Sequence, residues 1–215
     1  MINTDCPFCV ELDNPHNSIW NDRRENLPLN RIIFENEHWV VMPPLGSFCV
    51  GGLLVLSKVH YPSCAMCPPD ALESLESILK IVKRVLTETY KVNVLFFEHG
   101  PSKFGTKGAC CVDHAHINVF PIDFDIWNDL PKFPVEEELK GCQDIKRFMD
   151  DEYIWLIDNN HNNVYPVSGV PSQYIRTIIT KHLGYSERWN WQDYLGLKEI
   201  QQTIADLEGK WMGKK

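Results

Sequence analysis

Positive charge is in short supply: 21 Lys and Arg face 29 Asp and Glu, a formal net charge of −8 at pH 7. Long nucleic acids are held mainly by lysine and arginine neutralising phosphates, so this balance argues against a long polyanion as partner. A mononucleotide or dinucleotide held in one local pocket is not excluded by it. Long apolar runs are also missing, and none reaches the roughly 20 residues of a membrane span. The opening Met-Ile-Asn-Thr-Asp-Cys has neither the basic nor the apolar region of a secretion signal. A cytoplasmic protein with no membrane partner is the expectation. Low-complexity tracts and internal repeats are absent as well. In a reducing compartment the eight cysteines read as thiols, core residues or metal ligands rather than as a disulfide framework.

What is present is an ordinary globular composition: 44% hydrophobic and 23% charged residues in 215. Such a length can bury a core without covalent staples. The runs Arg31-Ile-Ile-Phe-Glu and Trp39-Val-Val-Met flank Asn36-Glu37-His38 and predict a β-hairpin. Another strand is expected at 53–56, after Gly51-Gly52. Pro68-Pro69-Asp70 opens a helix whose Leu72, Leu75, Ile78, Leu79, Val82, Val85 and Leu86 recur at the helical period, ending near Tyr90. The run Val94 to Phe97 predicts a buried strand, and a second strand from Cys110 to Phe120 is expected to stop at Pro121. Antiparallel strands with one long helix make an α+β architecture.

Beyond Pro121 the stretch from Asp123 to Asp151 is acidic and has no clean period. A hairpin follows around Asn159-Asn160, then a helix expected to start at Ser172 as N-cap and to stop at Gly184, then an amphipathic helix from Leu197 to Leu207. The division expected is a catalytic domain at 1–121 and a C-terminal α/β extension at 122–215 that packs on it.

Chemistry concentrates in Asp113-His114-Ala-His116-Ile-Asn118-Val-Phe-Pro121. On a strand, alternate side chains share a face, so His114, His116 and Asn118 are expected on one side and Ala115, Ile117 and Val119 in the core. A neutral imidazole in that row, braced from behind by packing, can attack phosphorus. The plain alternative is an amphipathic strand whose histidines face water. Just upstream, Gly100, Gly105 and Gly108 permit close approach of backbone amides to a phosphate, with Lys103 and Lys107 as counter-charges. Further on, Arg176 lies in the first turns of a helix that can face an anion, or is simply a surface arginine. Glu98 and His99 adjoin the glycine-rich loop without an assigned step. At the other end of the chain, Cys6-Pro-Phe-Cys9 supplies half of a tetrahedral zinc site. On spacing alone Cys64-Ala-Met-Cys67 completes it.

Taken together, Cys6 to Cys9, Gly52 to His60, Phe97 to Gly100 and Asp113 to Pro121 resemble the histidine triad superfamily over roughly Cys6 to Pro121. The resemblance implies that the middle signature histidine, His116, attacks the α-phosphate of a nucleotide phosphoanhydride or phosphoramidate. A nucleotidyl-histidine forms and is resolved by water or by another phosphate. It also implies that the His114 carbonyl fixes the tautomer of His116. Lys103, Lys107, Gly108, Cys111 and Arg176 are then candidate substrate-binding residues, with Cys111 standing where relatives often have serine or threonine. Zinc-bearing relatives imply Cys6, Cys9, His60 and His114 as a structural zinc set in place of the four-cysteine one. No organic cofactor is implied, and relatives are often homodimers. The third signature position departs from the hydrolases: Asn118 stands where they have histidine. The galactose-1-phosphate uridylyltransferase and dinucleotide phosphorylase branches carry glutamine there. An amide donates hydrogen bonds but moves no proton near neutral pH. Hydrolase leads, with nucleotidyltransferase or phosphorylase as the alternative. A zinc-stabilised nucleotide-binding module without turnover and a metal-dependent hydrolase ligated by His114 and His116 are the other readings.

Overall fold

Residues 3–101, 112–130 and 137–211 are described in a computed structural model of the chain. The apolar runs become strands of one antiparallel sheet: β1 (Phe34–Glu35), β2 (Trp39–Met42), β3 (Leu53–Ser57), β4 (Asn93–Gly100), β5 (His116–Ile122), β6 (Glu137–Glu138), β7 (Tyr153–Ile157) and β8 (Asn162–Pro166). Their spatial order is β1-β2-β3-β5-β4-β7-β8-β6. The helices are α1 (Pro7–Asp13), α2 (Ile19–Arg23), α3 (Pro69–Tyr90), α4 (Tyr174–His182) and α5 (Leu197–Leu207).

Both faces of the sheet are covered, which is why its strands read as continuous apolar runs rather than as strict alternation. The stripe of α3 packs with Val55, Phe96, Ile117, Val119, Tyr153 and Trp155 on one face. On the other, Ile175, Ile178 and Ile179 of α4 pack on Leu95, Phe97, Phe120, Ile154 and Leu156. Nearer β2, Phe8 and Leu12 of α1 cover Val40, Met42 and Leu56. Segment 122–215 therefore supplies three strands to the same sheet, with β7 hydrogen-bonded to β4.

Three sequence expectations change. The strand carrying the signature begins at His116 instead of Cys110; positions 110–111 lie outside the described residues, and 112–115 form a turn. That turn is closed by His114 N–H donating to the Val112 carbonyl at 2.8 Å and by Ala115 N–H donating to the Tyr61 carbonyl at 2.7 Å. Pro121 does not stop the strand, because the β3 ladder has already ended at the Leu53–Val119 pair. Pro121 pairs with Val94 of β4, and the ring meets no β3 partner that would need its missing N–H. Helix α4 starts one residue later than expected, with Gln173 rather than Ser172 as its cap, at φ 62° and with no side-chain capping bond.

Helix α5 begins exactly at its expected Leu197, and its cap Gly196 lies at φ +68°. A Cβ there would collide with the Ser47 backbone, so the helix can dock on the 46–52 loop only through glycine. The loop is tied down by Gly46 N–H donating to the Leu195 carbonyl and by Gly51 N–H donating to Thr203 Oγ1, both at 2.8 Å. Gly196→Ala is expected to cost on the order of 2–3 kcal/mol and to lower Tm by roughly 5–10 °C. Gly209→Ala, at φ +71° with no atom within 4 Å of the added carbon, serves as control and should cost much less. Equal losses in calorimetry would show that the collision is relieved at no cost.

Candidate active site and metal cluster

His116 is the first residue of β5, and its Nδ1–H donates to the His114 carbonyl at 2.6 Å. That bond fixes the tautomer and leaves Nε2 with the lone pair, as nucleophilic attack requires. Phe8 stands edge-on to the ring, centroids 5.6 Å apart. Behind it, Ala115 and Ile117 are fully buried in the α3 core, so packing sets the backbone that aims the imidazole. Burial and the nearby positive charge of Arg176 hold His116 below the ordinary imidazole value, with the His114 carbonyl opposing them. The neutral, attacking form is the one favoured near neutral pH.

His116 and Asn118 line one cleft together with Phe8, Phe97 and His99. Asn118 is half-buried and lies between Leu54 of β3 and Phe97 of β4. Trp20, Leu45 and Phe97 give the cleft an apolar wall, while Arg176 and Trp191 reach it from the far end of the chain. Arg176 is only 6% exposed. Its guanidinium donates to the Trp189 carbonyl at 3.0 Å and to the Gly46 carbonyl at 2.5 Å, and lies 4.7 Å from the Phe48 ring centroid. It is thus a buried clamp between α4 and the 46–52 loop that also presents charge to the cleft, rather than a surface arginine. Arg31, 3% exposed, also lines the cleft and donates to both carboxylate oxygens of Glu11 at 2.7 Å.

The second cluster includes His114, two residues before His116, and Phe8 packs edge-on against both rings. Ligand atoms of Cys6, Cys9, His60 and His114 all fall within 4.8 Å of one another. Cys6 Sγ is 3.3 Å from His114 Nδ1, Cys9 Sγ is 3.3 Å from His60 Nδ1, and the two Nδ1 atoms are 3.2 Å apart. Zinc with bonds of about 2.3 Å to sulfur and about 2.0 Å to nitrogen would separate tetrahedral ligands by roughly 3.3–3.8 Å, so donor set and spacing fit that ion. His114 Nε2–H donates to the Ser57 carbonyl at 2.7 Å, which leaves Nδ1 as the unprotonated ligand nitrogen and is the usual support for a metal-bound imidazole. Burial takes the His114 pKa down to about 4, keeping that ring neutral. Cys64 and Cys67, the alternative pair, are fully buried in the α3 core and do not join the cluster.

Several of the solved structures similar to this chain are described as histidine triad proteins, the family that the sequence resembles. A hypothetical histidine triad nucleotide-binding protein from Sulfolobus tokodaii is 18% identical, with a TM-score of 0.41 over 67% of this chain and 91% of its own. A zinc-bound histidine triad family protein from Mycobacterium smegmatis is 19% identical, with a TM-score of 0.39 over 67% and 90%. A histidine triad protein from Clostridium difficile is 18% identical, with a TM-score of 0.39 over 62% and 99%. No family model matches the chain, and no curated protein matches it. Among the described residues no helix is long and apolar enough to cross a membrane.

Of the sequence candidates, His114, His116, Asn118, Cys6, Cys9, His60 and Arg176 come together around the cleft and in the cluster. Lys103, Lys107, Gly108 and Cys111 lie outside the described residues, together with Gly105. Glu98 and His99, neighbours in sequence, part company on β4. Glu98 turns to the α3 side, accepts from Tyr153 Oη at 2.5 Å and from Cys64 N–H at 2.9 Å, and burial lifts its carboxyl to about 7. His99 lines the cleft. Missed from sequence were Glu11, Trp20, Arg31 and Glu152, whose isolated positions carry no spacing signal.

Proposed function

We propose that the protein cleaves nucleoside phosphoanhydrides or phosphoramidates at the α-phosphate through a covalent nucleotidyl-His116, with hydrolysis ahead of transfer. The observation that carries this reading is the 2.6 Å bond from His116 Nδ1–H to the His114 carbonyl, made by a ring that lines the cleft. The Nε2 lone pair attacks phosphorus, the bond to the leaving group breaks, and the nucleotidyl-imidazole keeps its hydrogen bond to the carbonyl. Water, or an acceptor phosphate in a transferase, then displaces His116. Asn118 donates an N–H to a phosphoryl oxygen as charge builds up there. The apolar wall of Phe8, Trp20, Leu45 and Phe97 suits the face of a nucleobase. Arg176 adds positive charge at the end supplied by the C-terminal segment.

Cys6, Cys9, His60 and His114 would hold a zinc ion whose contribution is structural, tying α1 to the turn before β5. The same turn carries the carbonyl that orients His116. The metal cluster takes His114 and leaves His116 on the cleft, which favours histidine over metal-bound water as attacker.

Incubation with a labelled dinucleotide polyphosphate, with and without phosphate or a sugar phosphate, tests the reading. Product without an added acceptor, together with a label on His116, is expected of the hydrolase. Product only with an acceptor would make the protein a transferase, and binding without any labelled His116 would leave a module without turnover.

A further inference from the structure

The hydroxyl that resolves a nucleotidyl-histidine must lose a proton, and Asn118 cannot take it. Another group in the cleft can. His99 stands two residues past Phe97 on β4, and His116 two residues before Asn118 on β5. The antiparallel Phe97–Asn118 pairing therefore places the two imidazoles on neighbouring strands at one end of the cleft. His99 Nε2 lies 3.2 Å from Glu152 Oε1, with the two side chains only 9% and 14% exposed. Glu152 immediately precedes β7, so it comes from the C-terminal segment, and β7 is the strand paired with β4. A carboxylate only accepts, so Nε2 carries the hydrogen and Nδ1 is the basic nitrogen.

From this geometry we infer that His99, oriented and charge-supported by Glu152, is the general base that activates the water or acceptor hydroxyl resolving nucleotidyl-His116. The inference rests on the function proposed above and adds to it a second catalytic residue and a task for the C-terminal segment. In the step, the attacking oxygen forms the new P–O bond while its proton moves to His99 Nδ1. The P–N bond breaks and its electron pair returns to His116 Nε2. The imidazolium formed at His99 is stabilised by the Glu152 carboxylate and gives its proton to solvent. This is the division of labour of a carboxylate–imidazole pair, in which the acid group orients the ring and offsets its charge. Burial keeps His99 below the ordinary imidazole value against the opposing pull of Glu152, so the basic form is available near neutral pH. Among the described residues, the other charged or titratable groups on the cleft are His116, Tyr174, Arg176 and the mutually paired Glu11 and Arg31.

The test is rapid mixing with adenosine phosphoramidate and with diadenosine and diguanosine polyphosphates, quenched in alkali, where phosphohistidine-type bonds survive. His99→Gln is expected to form the adduct and to resolve it about 100-fold more slowly, the lower part of what a general base contributes. Hydroxylamine, which attacks without losing a proton first, should restore much of that rate in His99→Gln. Wild-type breakdown should rise with pH as His99 loses its proton and then level off, and His99→Gln should lose that inflection. Glu152→Gln should fold, slow breakdown about tenfold and move the inflection to lower pH, because the support for the imidazolium is gone. Breakdown at the wild-type rate in His99→Gln, or an unmoved inflection in Glu152→Gln, would overturn the assignment of the base and leave the nucleophile standing. If the wild type labels no histidine with any of these substrates, the proposed function fails and the inference fails with it.

Discussion

Replacing His116 with alanine is expected to abolish the nucleotide adduct and to lower turnover at least about 1,000-fold, since the attacking lone pair of Nε2 is removed. The fold should survive. His116 is half-buried at the cleft, while the residues that hold its strand, Ile117, Val119 and Phe120, remain in their cores. Binding of an unreactive nucleotide analogue should change no more than a few-fold, because the ring is used after binding. Single-turnover kinetics and calorimetric titration on one preparation separate the two quantities. Turnover within tenfold of wild type would sink the covalent mechanism. Affinity lost in parallel with turnover would instead mean that His116 is a binding contact.

The second large effect concerns the cluster that includes His114. Purified protein is expected to carry about one zinc per chain, and Cys6→Ser or Cys9→Ser to carry close to none. Cys67→Ser should keep its metal and lose only packing, since Cys67 is a core residue outside the cluster. The converse result, metal lost in Cys67→Ser and retained in Cys9→Ser, would return the site to the four-cysteine arrangement. With the ion gone, the link between α1 and the turn before β5 is left to thiols and imidazoles in close contact. Tm should fall by roughly 10 °C or more, given losses of about 3–5 kcal/mol for a domain of this size. Burial pushes the free Cys6 thiol up to about 11, so zinc must displace a proton to bind. Affinity for zinc is therefore expected to weaken as pH falls and to strengthen as it rises. Measuring zinc release against a chromophoric chelator from pH 5 to pH 8 reads that sign directly. Atomic absorption on the serine variants reads the stoichiometry.

Legibility in the sequence follows the range of the interactions involved. Helix α3 could be read almost to the residue because its apolar stripe repeats at a local period and its start is marked by proline. Strands β2, β3, β7 and β8 could be read because apolar runs are bounded by turn residues. The start of β5 could not, since the turn at 112–115 is held by Tyr61, a residue far away in the chain. Ser172 has the right chemistry for a cap, yet Gln173 takes that place at φ 62°. Arg176 looked like an ordinary helix-surface arginine, and only the approach of the 46–52 loop shows that it is buried between two carbonyls and the Phe48 ring.

The sequence by itself determined the α+β class, the long helix and the short signature whose two-residue spacing puts His116 and Asn118 on one face. These depend on periodicities that a strand or helix imposes on its own residues. It also held the chemical types needed for a metal set, but spacing left two completions open. Only the tertiary structure decided that His60 and His114 meet Cys6 and Cys9, that Arg176 is buried against the 46–52 loop, and that Glu152 reaches across to His99. Those juxtapositions join positions tens of residues apart, and their partners are chosen by strand pairing and close packing, which no local pattern encodes.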